Sequence, residues 1–141
     1  MAADTVAHNK ELLERFWKAL TRGDREGLGA ADDEDAVWHV PPYYTRLSGE
    51  EDARGRDAVV KLFTQHSADF YQLRTVQLER MFLIADEHFG AIQFTNRAKT
   101  VQGADYDNIY VFAFRFDAGR IVEGWEHLDS AWFNHVIHGR D

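Results

Sequence analysis

Cysteine is missing from all 141 residues, and the only two prolines, Pro41 and Pro42, stand side by side. Without cysteine the chain has no thiol nucleophile, no disulfide and no thiolate metal ligand, which fits a reducing compartment, the cytoplasm. No apolar run approaches the ~18 residues that a membrane span needs, and the charged, helix-forming start MAADTVAHNKELLERF does not read as a secretory signal. Runs of Lys or Arg are also absent. With a net charge of -8 this argues for solubility and against a nucleic-acid surface. There is no HExxH, no histidine pair at helical i, i+4 spacing, no glycine-rich phosphate loop and no Gly-x-Ser-x-Gly elbow, so neither a metal nor a cofactor is expected.

What is present is apolar and aromatic: 45% and 13% of the residues, enough for one folded domain over 1–141. Asp4 or Thr5 can cap a first helix with Leu13, Phe16, Trp17 and Leu20 at 3.6-residue spacing, and Gly23 ends it. Asp24 can cap a second, short helix to about Ala31. The acidic run 32–35 then reads as a solvated turn into a strand over 36–40, which Pro41-Pro42 stops. A charged loop over 43–55 is placed to act as a lid, with Tyr43 and Tyr44 either lid contacts or exposed loop residues. A third helix over about 56–71 precedes four strands in a meander. Helices at one end and an antiparallel sheet at the other predict an α+β fold.

Two of those strands carry the chemistry. From Tyr106 to Phe116 the even positions, including Asn108, Tyr110 and Phe112, alternate onto one face. After a turn at Asp117-Ala118-Gly119, the odd positions Glu123, Trp125, His127 and Asp129 are expected to share a face on the returning strand. Trp, His and two carboxylates together suit either a pocket wall or a solvated rim.

The element order, with VWHVPP, GRDAVVKLF and FRFDAGRIVEGWEHLD, resembles the SnoaL-like branch of the nuclear transport factor two-like superfamily over nearly the whole chain. The resemblance implies a conical α+β barrel, its curved, mostly antiparallel sheet wrapped around N-terminal helices, enclosing a small-molecule pocket. Ketosteroid isomerases, polyketide cyclases, limonene epoxide hydrolases, scytalone dehydratases and non-catalytic binding domains share this fold. It implies that His39 occupies a water-holding position, Trp125 a cavity-wall position and His127 the place of a catalytic Asp, with Asn108 and Tyr110 on the pocket wall. Departures are as informative. Gln93 and Thr95 stand where the epoxide hydrolases carry Arg and Asp, and Val40 and Phe112 stand where ketosteroid isomerases carry their two functional Asp residues.

The expected function is therefore a cofactor-independent acid/base enzyme, an isomerase, dehydratase or cyclase, for an apolar oxygenated ring such as a polyketide, terpenoid or steroid-like compound. The alternative is a non-catalytic binding or interaction module of the same fold. In the enzyme scheme His127 moves the proton and His39 holds a substrate oxygen or water, while Tyr110 and Asn108 steady developing charge. Glu123 or Asp129 orients His127. Trp125, Trp38, Phe112, Tyr43 and Tyr44 contact the ligand, although alternation also allows Trp38, rather than His39, to face inward. A homodimer paired through the convex sheet face is expected.

Overall fold

The computed structural model describes residues 2–139. Helix α1 (Ala2–Arg22) buries Leu12, Leu13, Phe16 and Ala19 as one stripe and ends at Gly23, whose φ of +64° is costly for other residues. Helix α2 (Arg25–Ala31) is capped by the Asp24 carboxylate, which accepts the Gly27 amide at 3.1 Å. Strand β1 (Asp32–His39) follows directly. The acidic run is therefore the start of the strand, not a turn, with a bulge absorbing the irregularity between Asp32 and Val37.

The expected lid loop also has structure. Pro42 opens a short helix, α3 (Pro42–Ser48), because proline's fixed φ suits a first turn, and β2 (Ala53–Arg54) adds to β1 as an edge strand. Helix α4 covers only Arg56–Thr64; 3₁₀ turns over His66–Asp69 and Leu73–Thr75 replace its expected last part. The meander is β3 (Gln77–Ala85), β4 (Phe89–Lys99), β5 (Asp105–Asp117) and β6 (Arg120–Leu128). A helix that the sequence reading lacks, α5 (Ser130–His138), closes the order, capped by Asp129 through the Trp132 amide at 3.1 Å.

The six strands form one curved, unclosed sheet in the order β2-β1-β6-β5-β4-β3, antiparallel except for the β1–β6 pair. Tyr106, Asn108, Tyr110, Phe112, Phe114 and Phe116 are all buried on its concave face, where α1 and α4 pack. Buried Asn9 ties α1 to the β3–β4 turn by donating to the carbonyls of Asp86 and Glu87, both at 3.1 Å. No helix among the described residues is long and apolar enough to cross a membrane.

Candidate functional site

Packing between the helices and the concave sheet leaves a cavity of about 520 Å³. Tyr44 of α3, Tyr110 and Phe112 of β5 and Phe133 of α5 form its buried part, while Thr21, Arg22, Gly23, Arg25, His66, Leu73 and Arg74 line it where the chain is exposed, and so mark the mouth. Trp38 does face inward: its ring lies 4.8 Å from those of Phe63 and Phe112, and it is among the largest fully buried side chains.

The cavity's acid is Glu126, and a bulge puts it there. Arg115 pairs with Glu123 but Phe116 pairs with Ile121, so β6 has one extra residue at Val122. That residue reverses the alternation: Ile121 is buried, and beyond the bulge Gly124, Glu126 and Leu128 turn inward while Glu123, Trp125 and His127 turn outward. The Trp38 indole donates to Glu126 Oε1 at 3.3 Å. Burial pushes the Glu126 carboxyl up to about 7, with Glu50 reinforcing the rise and the Trp38 bond opposing it. Glu50, also on the cavity wall, is raised by burial too.

Beside this acid runs a chain of hydroxyls. Asn108 Oδ1 accepts the Ile109 amide at 2.8 Å, which fixes the side-chain amide so that Nδ2 donates to Tyr106 Oη at 2.8 Å. Tyr106 Oη lies 2.9 Å from Tyr110 Oη, which lies 3.0 Å from Tyr71 Oη. Asn108 donates at one end of this chain, and Tyr71 stands at the other, on the cavity wall. Burial raises all three phenols, Tyr106 to about 12, so they are neutral donors at ordinary pH. Asn96 adds a buried Oδ1 that has no hydrogen-bond partner among the described residues, on the same wall.

The two histidines do not meet in the cavity. His127 is exposed on the outer face, carried there by the bulge, so neither Glu123 nor Asp129 orients it. His39 also faces outward: Nδ1 lies 2.7 Å from Asp52 and Nε2 lies 2.5 Å from Glu123, and its ring stacks on Trp125 at 5.5 Å. Partial burial opposes its charge, but the bonds to Glu123 and Asp52 outweigh it and raise the imidazole pKa. Trp125 therefore belongs to this outer cluster and not to the cavity wall. Asp129 caps α5, and Asn108 acts behind the tyrosines. Tyr43, in α3, packs edge-on to Tyr44 at 4.7 Å. Glu126, Tyr71, Glu50 and Asn96 are cavity residues that sequence reasoning missed. Gly124 was the available clue, since a strand glycine often marks a bulge or close approach.

A sequence profile of the SnoaL-like domain matches residues 13–124. The chain belongs to the SnoaL-like family. No curated protein matches this SnoaL-like chain. Solved structures share its fold. An NTF2-like protein of unknown function from Burkholderia pseudomallei K96243 superposes with a TM-score of 0.81 at 24% identity, covering 92% of this chain and 97% of that one. Bal32a, from a soil-derived mobile gene cassette, gives 0.80 at 24% identity, with 94% and 98% covered. TerC, co-crystallised with polyporic acid, gives 0.79 at 17% identity, with 93% and 98% covered. Among the described residues of this SnoaL-like protein, no group of three His, Asp or Glu side chains is arranged to hold a metal ion.

Proposed function

We propose that this SnoaL-like protein is a cofactor-independent acid/base enzyme, of isomerase, dehydratase or cyclase type, for an apolar oxygen-bearing ring compound. Supporting this is Glu126, a carboxyl raised to about 7 inside an aromatic cavity. Near neutral pH such a group exists in both forms, so it can take a proton from carbon and return it elsewhere. In an isomerisation the Glu126 carboxylate removes a proton beside a substrate carbonyl. The C–H electrons pass toward the carbonyl oxygen, where the Tyr71 hydroxyl donates, and the new Glu126 carboxylic acid gives the proton back at another carbon. A relative co-crystallised with polyporic acid is in keeping with a small organic occupant.

The test is Glu126→Gln against a panel of cyclic unsaturated ketones and β-hydroxy ketones, followed by absorbance of the conjugated product. Turnover should fall by roughly 10²–10⁴, with thermal stability kept or improved. Unchanged turnover would reject Glu126. A wild-type protein that binds panel members and converts none would favour the binding module.

We also propose a homodimer paired through the outer sheet face. Phe82, Ile84, Phe89 and Ile109 are exposed there, 42–57% each, a concentration of apolar surface that marks association sites. Light scattering at micromolar concentration should give twice the 16.3 kDa chain mass; a monomer would end the proposal.

A further inference from the structure

The cavity's mouth differs in charge from its interior. Arg22 ends α1, Arg25 begins α2 and Arg74 lies in the 3₁₀ turn over Leu73–Thr75; all three line the cavity and all three are exposed. Among the described residues none of them forms an ion pair, although acidic residues outnumber basic ones 24 to 16 across the chain. In a chain of that balance three guanidinium groups could readily have found carboxylates. Farther in, the wall is aromatic and aliphatic. The carboxyls on that wall, Glu50 and Glu126, are both driven by burial toward their neutral forms, so they oppose an approaching anion less than their number suggests. Nearer the mouth, His66 and Asp69 act on Glu50 in opposite senses.

A wholly apolar ligand has no use for such a rim. We propose that the ligand of this cavity is an amphiphilic acid, with its apolar ring body inside and an anionic group, a carboxylate or a comparable oxyanion, held at the mouth by Arg22, Arg25 and Arg74. This rests on the reading of the cavity as the ligand site and adds the ligand's charge and its orientation. The ring end then reaches Glu126 and Tyr71, and the anionic end stays in water. Guanidinium groups suit this role because they are permanently charged and offer paired N–H donors to two oxygens at once. The same rim speeds capture of an anion by long-range attraction, which salt weakens.

Two fluorescent probes with the same ring body separate charge from cavity: anilinonaphthalene sulfonate, which is anionic, and phenylnaphthylamine, which is neutral. The sulfonate should bind the full chain roughly fivefold to tenfold more tightly than the amine, the yield of a few solvent-screened ion pairs. That advantage should vanish in the triple variant R22Q/R25Q/R74Q and shrink at high salt, while the amine binds the triple variant as it binds wild type. Leu62→Trp, or Leu78→Phe if that variant unfolds, blocks the cavity and should abolish binding of both probes. Equal affinities for the two probes, or a triple variant that keeps the sulfonate's advantage, would overturn the anionic ligand and leave the cavity reading standing. Binding that survives the blocking variants, or no binding of either probe, would overturn both.

Discussion

A Cβ built on Gly124 would stand 2.1 Å from two carbons of the Trp38 ring, far inside contact distance. The glycine is thus the space into which the indole fits, and the indole is the group that bonds Glu126. Gly124→Ala must displace a fully buried ring wedged among Phe63, Phe112 and Phe114, so about 3 kcal/mol of stability should be lost, the upper range for overpacking. Calorimetry would show a drop in melting temperature on the order of 10 °C. A melting point within 2 °C of wild type would mean that the ring relocates freely, contrary to this packing. From the sequence His39 is expected to face inward, with Trp38 the alternative, because a five-residue strand read without its partners has no phase reference. Parallel pairing with β6 supplies that reference: Trp38 registers with Gly124 and His39 with Trp125, so the small residue receives the large ring inside and the two flat rings stack outside.

Among the elements, β5 was legible and β6 was not. β5 alternates without interruption, every even position from Tyr106 to Phe116 being buried, and a period of two suffices to assign its faces. β6 begins in the same way and then slips by one residue at Val122. Ile121-Val122-Glu123 contains nothing that distinguishes a bulge from a regular strand, since β-branched residues suit both. That single residue moved His127 outside and Glu126 inside, and with them the identity of the candidate acid. The two unread helices had local signals. Asp129 precedes Phe133, Val136 and Ile137 at helical spacing, and Pro42 follows a residue in extended conformation, as the first position of a helix does. The order of the long helices and strands was recoverable because it depends on periodicity summed over many residues; the site depended on one.

For the whole molecule, the unusual protonation of several groups has a common sign. Asp32 and Glu126 are carboxyls raised by burial to about 7 from 3.8 and 4.5. Their folded forms hold protons more tightly than the unfolded chain does, so the stability they contribute is present below the unfolded values and is lost as pH rises toward 7. Glu50 is displaced in the same direction. His39, a base with a raised pKa, contributes stability below its unfolded value of 6.5 that is lost as pH rises through its folded value. Opposite in sign are Asp86, lowered by the amides of Phe89 and His88, and Glu123, lowered mainly by His39; these lose their contribution as pH falls through their folded values. From pH 5 to pH 8 the melting temperature should therefore fall by at least about 5 °C. Differential scanning fluorimetry across that range is the measurement. A melting temperature that rises from pH 5 to pH 8 would contradict the burial of Asp32 and Glu126 as charged-form penalties.

The parallel seam between β1 and β6 also bears on how the chain finds this structure. β3, β4, β5 and β6 follow one another as hairpins, so each of their pairings closes a short stretch of chain and can form early at small entropic cost. Joining Trp38 to Gly124 instead encloses most of the polypeptide. Topology makes this among the slowest contacts to gain, and the indole bond to Glu126 depends on it. The environment that tunes the cavity's carboxyl thus rests on a contact of large loop-closure entropy, and slower folding is the expected cost of drawing the site from distant parts of the sequence.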